Sequence, residues 1–164
     1  MIEPGDKIPS VPVKIVTAEG IADATSDAVL GKGKVVFFAV PGAFTPTCSA
    51  NHLPGFVDNA AKFVAAGVDR LVCGSVNDHH VMKAWAQSAG ALGKVDFLAD
   101  GNAAFAAALG LGKDSSATGL GQRFRRFSML IENGTVSKLF LQDEPGVTVS
   151  GAPHMLMALE ATKV

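Results

Sequence analysis

The 164-residue chain has no apolar stretch long enough to cross a bilayer. Its opening, Met1-Ile2-Glu3-Pro4-Gly5-Asp6-Lys7, is not followed by the apolar run of a secretory leader. No membrane association is expected. The expected compartment is the cytoplasm, or an organelle where a transit segment has been removed. Charge of one sign is missing too: 14 Lys and Arg stand against 15 Asp and Glu. Nothing in the overall charge points to nucleic acid or to an anionic membrane. There are only two cysteines, Cys48 and Cys73, and no C-x-x-C, because Thr45 stands where its first cysteine would be. Dithiol exchange within one motif is therefore excluded, and in a reducing compartment two such cysteines suit reactive or core roles. Gly112-Lys113 lacks the earlier glycine and the following Ser/Thr of a phosphate-binding loop. Cys48 and His52 lie four apart, with Cys73, His79 and His80 as further donors. Without paired C-x-x-C or H-x-x-x-H elements no metal is expected. No repeat, low-complexity tract or linker is found, so residues 1–164 are expected to form one domain with a core of its own.

What is present begins with Lys34-Val35-Val36-Phe37-Phe38-Ala39-Val40, rich in β-branched and aromatic residues and read as a buried strand. Thr45-Pro46-Thr47-Cys48 follows it. Thr45 suits a helix N-cap, and Pro46 suits the first helical position, where a missing N–H costs nothing. Cys48 then falls in the first turn, among unpaired N–H donors and at the positive end of the helix dipole. A thiol there ionises more readily, and the thiolate is the reactive form of cysteine. Burial as a small core residue suits Cys48 equally well at this point.

The remaining pattern predicts a hairpin of residues 11–16 and 20–24, and a helix over 46–66 kinked at Pro54-Gly55. Buried strands are expected at 71–76 and 95–98. Between them Asn77 or Asp78 caps a helix running through Met82 and Trp85. A short alanine-rich helix over 102–109 leads into a glycine-rich connection over 110–121. Residues 124–132 and 135–142 form a hairpin through Asn133-Gly134, and a last helix covers 153–162. Strand–helix alternation ending in a hairpin and a helix predicts an α/β fold with a mixed sheet. Arg123-Phe124-Arg125-Arg126-Phe127 interleaves basic and aromatic residues as RNA-binding strands do, but an exposed strand face explains it as well, and no nucleic-acid partner is expected. Strand alternation puts Arg126 on a face with Phe124, Ser128 and Leu130, and Arg125 with Arg123 and Phe127. Alternation does not choose between the two arginines.

Pro41-Gly42-Ala43-Phe44-Thr45-Pro46-Thr47-Cys48, with Asn51-His52-Leu53-Pro54-Gly55-Phe56 behind it, resembles the active-site stretch of peroxiredoxins. The likeness is to the type II group, which includes the atypical, peroxiredoxin-five-like members. It continues in Ser75-Val76-Asn77-Asp78, Val81-Met82-Lys83-Ala84-Trp85, Phe97-Leu98-Ala99-Asp100-Gly101 and Arg125-Arg126-Phe127-Ser128-Met129-Leu130, covering nearly the whole chain. The resemblance implies a thioredoxin fold, with a central mixed β-sheet flanked by helices. It implies a thiol-dependent peroxidase acting on hydrogen peroxide and small alkyl hydroperoxides with no cofactor. Cys48 would be the peroxidatic cysteine, attacking one peroxide oxygen and becoming a sulfenic acid. Thr45 would hydrogen-bond sulfur and peroxide through its hydroxyl. The backbone N–H groups of Thr47 and Cys48 would hold the peroxide oxygens as charge shifts. Pro41 would wall the pocket, with His52 as a supporting pocket member, although a lone histidine is more often an ordinary helix residue. The motif selects Arg126, directly before Phe-Ser, as the arginine that supplies fixed charge and donors.

The chain departs from animal members in having no cysteine after Cys73. Cys73 lies 25 residues after Cys48, where plant type II members also have one, and its strand setting suggests core packing. A Cys48–Cys73 disulfide would need local unwinding. The favoured cycle uses one cysteine, with glutathione and glutaredoxin as reductant. Alternatives are a Cys48–Cys73 disulfide reduced by thioredoxin, or a redox sensor that passes the sulfenic acid to a partner protein. The resemblance also implies a homodimer packed through the active-site edge. His79-His80 is expected near that edge and the pocket rim.

Overall fold

A computed structural model describes residues 1–47 and 51–161. Cys48, and the end of the last helix at Thr162, lie outside the described residues. The chain opens with an antiparallel hairpin of β1 (Pro12–Thr17) and β2 (Gly20–Thr25), followed by a short helix α1 (Ser26–Leu30). The buried run becomes β3 (Lys34–Ala39). After it come α2 (Leu53–Asp58), α3 (Ala60–Ala65), β4 (Arg70–Ser75), α4 (His79–Ser88), β5 (Asp96–Ala99) and α5 (Ala104–Leu109). A small hairpin of β6 (Gly112–Asp114) and β7 (Gln122–Phe124) precedes β8 (Phe127–Glu132), β9 (Thr135–Leu141) and α6 (Ala152–Ala161). The main sheet has seven strands in the order β2-β1-β5-β4-β3-β8-β9, with β3–β4 and β4–β5 parallel and the other pairs antiparallel. This is a thioredoxin-like arrangement, with a mixed sheet between two layers of helices.

Both faces of β3 are buried, which is why its sequence is an unbroken apolar run rather than an alternating one. Val36 and Phe38 point with Cys73, Phe97 and Leu130 toward α2, α3, α4 and α6. Val35, Phe37 and Ala39 join Val72, Leu98 and Met129 under α1, α5 and the β6–β7 hairpin. Phe38 stacks on Phe56 of α2 at 3.9 Å between ring centroids, so the helix that follows the Cys48 segment is clamped directly to β3.

Four local expectations change. The kink at Pro54-Gly55 is absent: Pro54 sits in the first turn of α2, where a proline breaks no helical hydrogen bond. The interruption falls instead at Asn59 (φ −103°, ψ 11°), whose Nδ2 donates to the Gly55 carbonyl at 2.7 Å. The connection over 110–121 contains β6 and a 3-10 turn (Ser116–Thr118), too short for a periodic signal. Helix α1 was not anticipated, because its five residues hold little pattern. Finally, the strand expected over 124–132 breaks at Arg125–Arg126, and Phe124 packs with Phe127 and Met129 rather than with Leu130. Alternation counted through that break gives the wrong face.

Two aspartates anchor helix starts in different surroundings. Exposed Asp78 accepts from Val81 N–H at 2.9 Å, whereas Asp100, 2 % exposed, accepts from Phe105 and Ala106 N–H at 3.0 and 2.9 Å. Asp78→Ala is expected to cost about 1 kcal/mol. Asp100→Ala, which strands two buried donors, is expected to cost about 3 kcal/mol. Urea unfolding of both variants measures the difference, and equal losses would contradict the burial argument.

Candidate active site

The site is built where β3 ends. Val40 N–H still reaches the Gly74 carbonyl at 3.0 Å, and the chain then leaves the sheet through Pro41–Thr47. That turn contains Phe44 at φ +63°, a left-handed conformation unfavourable for a bulky side chain. Three contacts hold the turn. Ala43 N–H donates to Asn77 Oδ1 at 3.0 Å, Arg123 Nη1 donates to the Pro41 carbonyl at 3.2 Å, and Thr45 Oγ1 donates to the Gly42 carbonyl at 2.8 Å. Gly42 leaves room for this packing, since a Cβ there would stand 2.9 Å from Arg123 Nη1 and 3.1 Å from Thr45 Cγ2. With its proton committed to Gly42, the Thr45 hydroxyl offers its remaining lone pairs as acceptors. Pro46 and Thr47 are helical, and Asn51 and His52 form a wider π-type turn leading into α2.

His52 is fully buried, against Phe38 at 5.2 Å and Phe56 at 5.7 Å between ring centroids. Its Nδ1 lies 2.8 Å from Arg126 Nη1, and its Nε2 lies 2.8 Å from the Ser150 carbonyl oxygen. A guanidinium only donates and a carbonyl only accepts. One tautomer satisfies both: a neutral imidazole with the proton on Nε2. Burial pushes the His52 pKa down to about 3, reinforced by the Arg126 charge and opposed by the Ser150 carbonyl.

Arg126 and Arg125 have different surroundings. Arg126, in the break between β7 and β8, reaches His52 in the interior. Arg125 Nη2 pairs with Asp143 Oδ1 at 2.8 Å, where the Asp143 side chain is 73 % exposed. Pro41, Thr47, Arg125 and Arg126 line one open cleft of about 690 Å³, with Lys113 and Gln142 on its walls. Thr45 belongs to the same turn, and His52 supports Arg126 from behind. Cys73 is elsewhere: it is fully buried in the middle of β4, opposite Phe38 on one side and Phe97 on the other. His79 and His80 stand side by side at the start of α4, with ring centroids 4.2 Å apart. His79 borders a different cavity, with Lys14, Asp23 and Asp78.

Three contributors were not assigned roles here from sequence: Asn77, Arg123 and Ser150. Their partners are 34, 82 and 98 residues away in the chain. No periodic or capping signal reports contacts of that range.

The redoxin family model matches residues 3–156 of the chain. Peroxiredoxin-2E-2, chloroplastic, from Oryza sativa subsp. japonica is 46% identical over 161 residues, covering 94% of this chain and 71% of that protein. Peroxiredoxin-2C from the same organism is 50% identical over 126 residues, covering 77% of this chain and 78% of that protein. Among solved structures, reduced Prx3 in complex with H2O2 from Vibrio vulnificus is 42% identical with a TM-score of 0.91, covering 97% of this chain and 99% of that one.

The His52 environment has a measurable consequence. As pH falls below about 6.5, the unfolded chain takes up a proton at position 52 that the folded chain refuses until about pH 3. The folded pKa is the lower one, so this contribution to stability is intact above that window and is lost through it on acidification. Urea midpoints of wild type should fall more steeply over these pH values than those of His52→Asn, which has no proton to gain. A His52 ring that titrates near neutrality in ¹⁵N NMR of the folded protein would contradict the buried neutral state.

Proposed function

This chain belongs to the peroxiredoxin family, and from that premise we propose that it reduces hydrogen peroxide and small alkyl hydroperoxides through Cys48, with glutathione and glutaredoxin as reductant. The family chemistry is that of a thiol peroxidase. The Cys48 thiolate attacks one peroxide oxygen, the O–O bond breaks, and the departing hydroxide or alkoxide takes a proton to leave as water or alcohol. Cys48 becomes a sulfenic acid. Glutathione thiolate then attacks that sulfur, releasing water and forming a mixed disulfide, which a second thiol reduces to return the Cys48 thiol and oxidised glutathione.

The observation that carries this reading is Arg126 held at 2.8 Å by a buried, neutral His52 on a cleft shared with Pro41 and Thr47. A guanidinium so fixed offers donors and charge where negative charge moves from sulfur to the leaving oxygen. Thr45, with its hydroxyl proton donated to Gly42, is suited to accept a hydrogen bond from the peroxide. The cleft is of a size that small-molecule sites use. Burial of Cys73 within the sheet favours a cycle that leaves it out. A Plasmodium falciparum antioxidant protein described as a 1-Cys peroxiredoxin is 25% identical to this chain with a TM-score of 0.90, which supports such a cycle as compatible with the fold. Phe44, 52 % exposed on the active-site turn, is the apolar surface on which a second copy would pack in a homodimer. The reductant fits a glutathione-rich compartment, with the cytoplasm as the first choice.

Cys48→Ser should abolish peroxidase turnover, while Cys73→Ser should keep most of it with glutathione and glutaredoxin. Comparable losses would favour the internal disulfide and thioredoxin instead. For the arginines, the rate of peroxide reduction should fall in the order wild type, Arg126→Lys, Arg126→Ala, because lysine keeps the charge but loses the planar fork. Arg125→Ala should have a small effect. A crippling Arg125→Ala beside a nearly silent Arg126→Ala would reverse the assignment.

A further inference from the structure

Gln142 stands where β9 gives way to the irregular segment leading to α6. Its backbone N–H donates to the Arg126 carbonyl at 2.9 Å, continuing the β8–β9 ladder past the Phe127–Leu141 pair. Its side-chain amide is occupied at both ends. Nε2 donates to Thr148 Oγ1 at 2.8 Å and to the Glu144 carbonyl at 3.1 Å. Oε1 accepts from Thr148 N–H at 2.9 Å, Ser150 Oγ at 2.9 Å and Ser150 N–H at 3.2 Å. A primary amide has two donor hydrogens and one acceptor oxygen, and all are engaged within residues 144–150. Holding a long side chain in one rotamer costs entropy, and five contacts offset it. They close the segment into a loop with Ser150, fully buried, at its far end.

Ser150 is also the residue whose carbonyl receives the Nε2 proton of His52. One residue therefore touches both ends of the His52–Arg126 pair: its side chain fixes Ser150 through Oε1, and its backbone N–H holds the Arg126 carbonyl. We propose that Gln142 is a positioning residue for the peroxidase reaction, setting the direction of the Arg126 guanidinium through Ser150 and His52. This rests on the peroxidase reading and extends it to a residue outside the reacting groups. Without the amide oxygen, Ser150 N–H and Oγ must find other acceptors, and the carbonyl of the same residue moves with them. His52 then loses the acceptor that selects its Nε2–H form. The other tautomer would present a proton on Nδ1 to a guanidinium that can only donate, so Arg126 would turn away. A loop clamp with no such role would change stability and leave the reaction of folded protein alone.

The test is stopped-flow oxidation of the reduced full chain by hydrogen peroxide, with Gln142→Met made alone and together with Arg126→Ala. Gln142→Met should slow Cys48 oxidation about tenfold, as displaced supporting groups do. It should cause no further slowing once Arg126 is already alanine, because the two act in series. Gln142→Glu keeps an oxygen acceptor for Ser150 and should recover most of the rate. The ¹⁵N signature of His52 should be pure Nε2–H in wild type and Gln142→Glu, and mixed in Gln142→Met. Ser150→Ala, which removes one bond to Oε1, is the milder variant, and its smaller slowing should likewise vanish in the Arg126→Ala background. If folded Gln142→Met reacts at the wild-type rate while Arg126→Ala is slow, the positioning role is overturned and the peroxidase reading stands. Equal slowing by Gln142→Met in both backgrounds also overturns it. Arg126→Ala at the wild-type rate overturns the role of Arg126 and this inference together.

Discussion

A guanidinium, an imidazole and a carbonyl in line leave room for one arrangement of protons, and the rest of the site is organised around keeping that line intact. Arg126 comes from the break before β8, His52 from the π-type turn before α2, and Ser150 from the residues just before α6. Burying the ring removes the competing charged state, since imidazolium beside guanidinium in the interior is doubly unfavourable. His52 therefore stays an acceptor toward Arg126 throughout the neutral range. The sheet supplies the rigidity: Phe38 of β3 packs against both His52 and Phe56, so the ring is held by the same strand that launches the Pro41–Thr47 turn.

That turn carries a cost of its own. Phe44 in a left-handed conformation is a strained position, of the order of 1–3 kcal/mol. Arg123, Asn77 and Thr45 each hold a backbone group of the turn, and Gly42 lets them approach. The strain directs the chain from the end of β3 into the helical residues Pro46 and Thr47, the second of which borders the cleft together with Pro41. Local backbone cost is thereby exchanged for a fixed geometry at the mouth of the site.

Much of this was legible in the sequence, for identifiable reasons. The β3 run, a helix cap at Asn77 or Asp78 and the Asn133-Gly134 hairpin each depend on neighbouring residues, and each appears in the structure, with Asp78 as the cap. Pro54 was misread because a proline breaks a helix only beyond its first turn, and the start of α2 is set by tertiary packing rather than by a local signal. Alternation failed at Arg125–Arg126 because it assumes an unbroken strand. The family motif selected Arg126 where periodicity could not choose. The structure then gives the two arginines distinct partners, a buried histidine for Arg126 and an exposed aspartate for Arg125. Asn77, Arg123 and Ser150 act across long separations in the chain, and only the fold brings them to the site.

The central claim is that peroxide reacts at one thiol, Cys48, and that Cys73 is a core residue. Trapping with dimedone after one equivalent of hydrogen peroxide, followed by peptide mass spectrometry of the reduced full-length chain, tests it most directly. The account predicts a single dimedone adduct on the peptide carrying Cys48 and an unmodified Cys73. An adduct on Cys73, or peroxide left unconsumed with Cys48 still a thiol, would contradict it.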